Sequence, residues 1–365
     1  MEKLDLLSLT THEIENIMKE IGQPAYRAKQ VWGWLHLKHV QSFEEMTNLP
    51  KAMRDELEVR YRIATVREEK KLISQNDGTI KYLFALHDGT LIESVLMEYV
   101  HGNSVCVSTQ AGCRMGCAFC ASAQGGLVRN LTAGEICAQV YAALGAVSVA
   151  NVSRAALGAV SAANVSRAGR DCKRVGGVVL MGCGEPLDNY DATLRFIELI
   201  THADGINIGQ RHITSSTCGL VPQILTLAER KLQITLAISL HAATDDLRQQ
   251  LMPIAKAYPL SELMQACRHY VEKTNRRLTF EYALAKGVND SPAHAQDLAK
   301  LLRGVNCHVN LIPINKTSYS EFQPSARKDA QSFADILLAK NIQTTIRRSL
   351  GGDVDAACGQ LRATR

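Results

Sequence analysis

No run of about 18 apolar residues, the length that spans a bilayer, occurs in this 365-residue chain. Its start, Met1-Glu-Lys-Leu-Asp5, has no apolar segment of the kind a secretion signal needs. A membrane partner is therefore not expected, and a cytoplasmic location is. A dominant charge of one sign is also missing. The net charge of +5 and a pI near 8.6 permit an RNA partner without demanding one. Nor is there an even set of cysteines at framework spacing. The 11 cysteines are odd in number and scattered, which argues against a secreted disulfide scaffold and for thiols kept reduced. With 46% hydrophobic residues, the chain can bury a large core, and its length fits one large domain with a smaller one.

The most informative stretch is short. Cys113-Arg-Met-Gly-Cys117-Ala-Phe-Cys120 sets three cysteines at C-x3-C-x2-C spacing, directly after a strand-like run at 105–109. A loop this short can aim three thiolates at one metal centre. Thiolates are the usual ligands of iron–sulfur clusters, and a [4Fe–4S] cube normally takes four of them. No obvious fourth ligand follows, which would leave one iron open. The alternative is a zinc knuckle completed by a distant His or Cys.

Residues 1–60 read as a compact helical accessory module. Apolar positions three and four apart over 11–21 predict a threonine-capped helix. Gly22-Gln-Pro24 ends it, and further helices are expected from Tyr26 and from Pro50. Arg27, Lys29, Lys38, Lys51 and Arg54 form either a solvated face or an RNA-docking surface. Over 61–103, strand-like runs at 81–86 and 90–96 flank His87-Asp-Gly89, which predicts a β-hairpin extension. Glu93, in the middle of the second run, fits a solvent-facing strand position.

From 104 to 350 the pattern becomes strand, loop, helix. Strands are expected at 105–109, 175–181, 213–216, 234–239, 278–282 and 309–313, with a last one at 343–348. Helices are expected between them, at 192–201, 260–272 and 293–302. Such alternation implies parallel strands with helical crossovers. Six units are too few for a closed eight-stranded barrel, so the fold class is α/β, a partial (β/α)6 barrel. Chemistry in such folds gathers beyond the C-terminal strand ends. Cys113, Glu185, Ser216, His241 and Asn315 all fall there. One stretch is anomalous: residues 143–155 are repeated at once as 156–168, differing only where Val149 becomes Ala162. Thirteen residues are not whole helical turns. Together with its Gly, Ser and Asn, this makes the duplicated segment, 143–168, read as a surface insertion rather than a continuous helix.

Gly182-Cys-Gly-Glu-Pro186 closes the second barrel strand and fits a tight turn as well as a ligand edge. A lone His241 after Ser239-Leu240 fits a satisfied structural histidine. Following the cysteine triplet, however, the whole set resembles the radical S-adenosylmethionine (SAM) enzymes. The tail Gly351-Gly-Asp-Val-Asp-Ala-Ala-Cys358-Gly-Gln-Leu361, with Cys106-Val-Ser-Thr-Gln-Ala-Gly-Cys113 and Leu311-Ile-Pro-Ile-Asn315, resembles the rRNA/tRNA adenine-C2 methyltransferase family. The likeness runs from the helical module to Leu361, with only the duplicated insert outside it. Cys183 departs from the methionine often found in the family and adds a thiol near the cluster.

The resemblance implies a radical SAM barrel at 104–350 and a separate tail at 351–365. It implies a [4Fe–4S] cluster on Cys113, Cys117 and Cys120. SAM would be bound by Gly184, Glu185, Ser216, Ser239, Leu240, His241 and Asn315. It further implies a ping-pong reaction with two SAM molecules, methylating C2 of adenine 2503 in 23S rRNA and of adenine 37 in tRNA. Adenine C2 is electron-poor, so a radical route is needed and the cofactors carry the difficult step. In that scheme Cys358 accepts the methyl group, and a radical formed on it adds to the base. Cys106 then breaks the protein–RNA adduct by forming a disulfide with Cys358. Glu93 aligns with the carboxylate that exchanges a proton at C2. Without the resemblance, Cys106 and Cys358 would pass for core thiols. A monomer and an electron donor such as flavodoxin or ferredoxin are also implied. Two other readings stand beside this one. One is the sister group that methylates C8 of the same adenine and gives antibiotic resistance, which tends to lack Pro186 and Ala111. The other is a non-catalytic iron–sulfur or zinc RNA-binding protein.

Overall fold

The computed structural model describes residues 3–99, 102–156, 175–315 and 320–362. The first 60 residues form the expected helical module: α1 (Thr11–Glu20), α2 (Tyr26–His36) and α3 (Lys51–Arg60). The cap of α1 is Thr10, whose hydroxyl accepts from the Glu13 N–H while the Glu13 carboxylate accepts from the Thr10 N–H. Two short strands, β1 (Leu4–Asp5) and β2 (Tyr61–Arg62), pair in parallel and close the module. Buried Asp5 accepts from the backbone N–H groups of Leu7 and Ala64 and from the hydroxyls of Ser8 and Thr132. The module is thereby tied to the rest of the chain, as it is by the Trp32 indole N–H donating to the Asp204 carbonyl at 2.9 Å.

The body is one ten-stranded sheet. Its antiparallel part is β3 (Arg67–Ile73), β4 (Ile80–Ala85), β5 (Leu91–Tyr99) and β6 (Gly102–Cys106). The parallel part continues from β6 through β9 (Val175–Leu180), β10 (Ile213–Thr217), β11 (Thr235–Ser239), β12 (Leu278–Leu284) and β13 (Cys307–Pro313) to β14 (Gln343–Ile346). The two remaining strands, β7 (Gln110–Gly112) and β8 (Leu127–Asn130), form a separate hairpin that frames the cysteine loop. Neighbours in the parallel sheet are joined by α4 (Ala133–Ala156), α5 (Tyr190–Thr201), α6 (Val221–Glu229), α7 and α8 (Asp245–Leu251, Leu260–Thr274), α9 (Pro292–Leu301) and α10 (Arg327–Ala339). Six strand–helix–strand crossovers in consecutive order make the partial (β/α)6 barrel that the alternation predicts.

The expected 81–86/90–96 hairpin is present as β4–β5 and, through β6, extends the barrel sheet. A further strand, β3, precedes it. Its sequence Arg-Glu-Glu-Lys-Lys carries too much charge to read as a strand, and it is tolerated because β3 is the sheet edge and almost wholly exposed. The first copy of the duplicated segment is not a loop. It continues α4 to Ala156, because alanine-rich sequence propagates a helix already begun and single Gly or Asn residues cost only about 1 kcal/mol or less. The second copy lies outside the described residues, apart from Ala156.

Candidate active site: two cavities joined at Cys358

The cysteine loop is shaped by its backbone. Gly112 has φ +74°, and a Cβ there would lie 2.0 Å from the Gly126 carbonyl oxygen, so only glycine allows the β7–β8 hairpin to close. The Cys113 N–H donates to that same oxygen at 2.9 Å. Farther along, the Ala118 N–H donates to Leu251 O and the Ala121 N–H to Gly359 O. The loop is thus held by α7 on one side and by the tail on the other. Arg114 pairs with Asp188, which also accepts from Gln110.

Gly182-Cys-Gly-Glu-Pro186 lies against residues 107–110. The Gly182 N–H donates to Val107 O, and the Cys183 carbonyl accepts from Thr109 N–H. Gly184, at φ +107°, would place a Cβ 2.6 Å from that of Gln110. The glycines are therefore required by close approach, and the turn also forms part of a cavity wall. Buried Glu185 accepts from Cys218 N–H at 2.7 Å and from Leu187 N–H at 3.0 Å. Burial raises its carboxyl above the usual range, against those hydrogen bonds. Each of its oxygens keeps acceptor capacity.

His241 sits just beyond β11 at φ +58°, a left-handed conformation that is strained for a residue with a side chain. Its Nδ1 accepts from Ala283 N–H at 3.0 Å, so the proton belongs on Nε2. Burial holds the ring neutral, with a pKa down to about 3. Phe119 meets it edge-on at 4.8 Å. The side chain is structurally satisfied through Nδ1 and keeps a donor on the other side. Ser216 and Ser239 lie side by side on neighbouring strands, 3.3 Å between hydroxyls.

Cys113, Cys117, Cys120, Gly184, Glu185, Ser216, Ser239, His241 and Asn315 all line one cavity of about 990 Å³ at the C-terminal ends of the strands. Leu240 does not: its side chain is fully buried in the core, and only its backbone is engaged there. Burial pushes the Cys113 thiol up to about 12 and also raises Cys117 and Cys120. Cluster binding therefore displaces protons. No three His, Cys, Asp or Glu side chains among the described residues are drawn close enough for a single metal ion. The donor set, three thiols facing a largely apolar cavity, fits the cube.

A second cavity, of about 550 Å³, lies beneath the tail and is lined by Val95, Met97, Tyr99 and Cys106. The two cavities share Met181, Ile312, Asn315, Arg347 and Cys358. Cys358 thus stands between the triplet and Cys106. Both it and Cys106 are free thiols. Asn315 fixes the tail there, donating to Cys358 O at 3.2 Å and accepting from the Ser349 hydroxyl. Burial, with Cys358 beside it, pushes Cys106 up to about 12, and the Arg347 guanidinium opposes that shift.

Glu93 lines neither cavity. It is 4% exposed, not solvent-facing, and shares the face of β5 that carries Val95, Met97 and Tyr99 into the second cavity. Its Oε1 pairs with Lys81 at 2.8 Å. Sequence reasoning missed Lys81, Arg347, Glu281 and Cys218. Glu281 was signalled by a lone charge within the apolar run of β12. Arg347, beyond β14, and Cys218, beyond β10, carried no signal, although both line the cavity of the triplet.

Comparison with known proteins agrees with this geometry. The radical SAM superfamily model matches residues 107–299, which together with the fold makes the chain a radical SAM enzyme. The model of the ribosomal RNA large subunit methyltransferase N-terminal domain matches residues 4–63. A probable dual-specificity RNA methyltransferase RlmN of Alkaliphilus oremlandii is 50% identical over 362 residues, 99% of this chain and 98% of that protein. The same-named protein of Clostridium novyi is 48% identical over 358 residues, covering 98% of this chain and 97% of its own. The crystal structure of a radical SAM methyltransferase from Sphaerobacter thermophilus superposes with a TM-score of 0.88 at 44% identity, covering 99% of this chain and 100% of that one. The chain belongs to the RlmN family of radical SAM RNA methyltransferases. It uses a [4Fe–4S] cluster and SAM, and the reading as a non-catalytic RNA-binding protein is set aside.

Proposed function

We propose that the protein methylates C2 of an adenine in 23S rRNA and in tRNA, adenines 2503 and 37, with Cys358 as the methyl carrier. The observation that carries this reading is the position of Cys358, shared by the cavity of the triplet and that of Cys106. Cys113, Cys117 and Cys120 would hold the cluster, and Gly184, Glu185, Ser216, Ser239, His241 and Asn315 would line the SAM site. When bound, the cluster supplies the electron that cleaves SAM and so makes an unactivated carbon reactive.

The remaining work falls to this chain's own groups. Cys358 takes a methyl group on sulfur, giving up its thiol proton, and presents that carbon to the base. With one hydrogen atom removed from it, the carbon bonds to C2; Glu93 takes the C2 proton, and the one surplus electron would return to the cluster site. Cys106 attacks the Cys358 sulfur; an S–S bond forms and the S–C bond breaks. The carbon keeps the electron pair and takes a proton, which releases methylated RNA. Arg347 favours the attacking thiolate of Cys106 against its burial. The enzyme acts as a monomer and draws electrons from a donor such as flavodoxin or ferredoxin.

The test uses two variants on a denaturing gel. Cys106→Ala should keep its iron and the methyl group on Cys358, then stall as a protein–RNA band. Cys358→Ala should give no band. In the wild-type enzyme the transient band should decay faster from pH 7 to pH 9, because a thiol pushed up to about 12 gains thiolate throughout that range. Normal turnover by Cys106→Ala with no trapped species would refute the resolving role and turn attention to Cys183.

A further inference from the structure

In the β4–β5 pair, Leu83 stands opposite Glu93 and Lys81 opposite Val95, so Lys81 and Glu93 are diagonal neighbours. The Lys81 ammonium lies 2.8 Å from Glu93 Oε1, with the two side chains only 11% and 5% exposed. The same nitrogen donates to the carbonyl of Asp355 at 3.0 Å. Asp355 belongs to the tail, three residues before Cys358. Glu93 Oε2 is buried without a full hydrogen bond, with the backbone of Arg362 beside it. The other groups facing Glu93 are the Asp355 carboxylate and the Cys183 thiol. A buried ion pair is a poor way to add stability, since apolar replacements of similar volume often serve as well or better. Its presence here, touching both the candidate base and the tail, points to function.

We propose that Lys81 is a positioning residue of the methyl transfer: it holds the Glu93 carboxylate in place through a buried contact that also touches the segment carrying Cys358. The inference rests on the role given above to Glu93. Lys81 has three N–H donors, enough to serve both partners at once. The tail is also latched elsewhere. Asp353 accepts from the Ser74 hydroxyl at 2.7 Å and from Gln75 N–H at 2.9 Å, and Asp77 accepts from Gly351 N–H at 2.9 Å. Removing the Lys81 charge therefore leaves the tail attached, and the consequence falls first on Glu93. Burial raises the Glu93 carboxyl above its ordinary range and Lys81 opposes that. Without the ammonium the carboxyl rises further, and the base is ionised only at higher pH.

The experiment compares Lys81→Met, Lys81→Gln and Lys81→Arg in anaerobically reconstituted enzyme. It measures iron content, methyl on Cys358 by mass spectrometry of the protein, and the pH dependence of single-turnover methylation of a 23S rRNA fragment. Iron and Cys358 methylation should stay near wild type in all three. The acidic limb of RNA methylation should move to higher pH in the Met and Gln variants, by a unit or more. Below the limb the rate should then fall about tenfold for each unit. The Arg variant should hold the wild-type limb. If Lys81→Met does not fold, the Gln and Arg pair decides the matter. Limbs that superimpose on wild type overturn the inference, as does a parallel loss of Cys358 methylation in all three. Glu93→Gln separates this from the reading beneath it. Full activity in Glu93→Gln removes the base itself. An inactive Glu93→Gln beside an unmoved limb in Lys81→Gln removes only the role of Lys81.

Discussion

Residue by residue, the site is a set of ordinary side chains made unusual by burial. Cys113, Cys117 and Cys120 could be found from spacing alone, because a short loop confines its ligands locally. Cys218 could not. It lies beyond β10, more than ninety residues from the triplet, and only folding brings it to the same cavity. Its N–H is spent on Glu185 and its carbonyl accepts from buried Arg248 at 2.7 Å, so its backbone is fixed for structural reasons. The two kinds of cysteine should therefore separate by iron content. Cys113→Ala, Cys117→Ala or Cys120→Ala should each lose the oxygen-sensitive cluster after anaerobic reconstitution. Cys218→Ala should retain iron near the wild-type level. Loss of iron from Cys218→Ala would make it a fourth ligand and close the open iron. Stoichiometric zinc in place of iron in the wild type would overturn the cluster assignment. Glu93 shows the opposite failure of sequence reading. Its charge suggested solvent, and only the partner strand, with Lys81, shows why a charge can be buried there.

Among the elements, the strands of the barrel were legible because each is a short apolar run followed by a loop and an amphipathic helix. Their ends shifted by only a few residues: β12 runs to Leu284 and β13 begins at Cys307. The antiparallel part was read as a hairpin because Asp88-Gly89 marks a turn, but turn chemistry says nothing of what lies beyond the hairpin's edges. The pairing of β6 with β9 is long-range, and no local pattern announces it. The tail was recognised by its sequence, yet its attachment was not foreseen. Its contacts with Ser74, Asp77 and Lys81 are made by polar residues of the β3–β4 turn and strand that read as generic surface. Helix α4 carries the clearest correction. The helix α4 continues through the first copy of the duplicated segment to Ala156. Deleting 156–168 should leave RNA methylation within a few-fold of wild type and the thermal transition little changed. A collapse of either would show that the second copy packs against the barrel or contacts RNA.

At the scale of the whole molecule, the arrangement is a division of labour. The helical module, tied on through Asp5 and Trp32, matches the N-terminal domain of rRNA methyltransferases. The barrel holds a cavity suited to the cluster and SAM, and the tail places one thiol at the boundary with a second cavity. Long apolar helices able to cross a membrane are absent among the described residues. The order of these parts along the chain was readable from composition and motif; their convergence on Cys358 was not, because it depends on a sheet in which residues 106, 181, 312 and 347 become neighbours. In the proposed function this convergence delivers a methyl group from Cys358 to adenine C2. The most direct measurement is nucleoside mass spectrometry of 23S rRNA after incubation with the reconstituted enzyme and SAM, with fragmentation and synthetic standards to locate the new carbon. The expected product is 2-methyladenosine, formed by the wild type and lost in Cys358→Ala. A product methylated at C8, or 2-methyladenosine formed undiminished by Cys358→Ala, would contradict it.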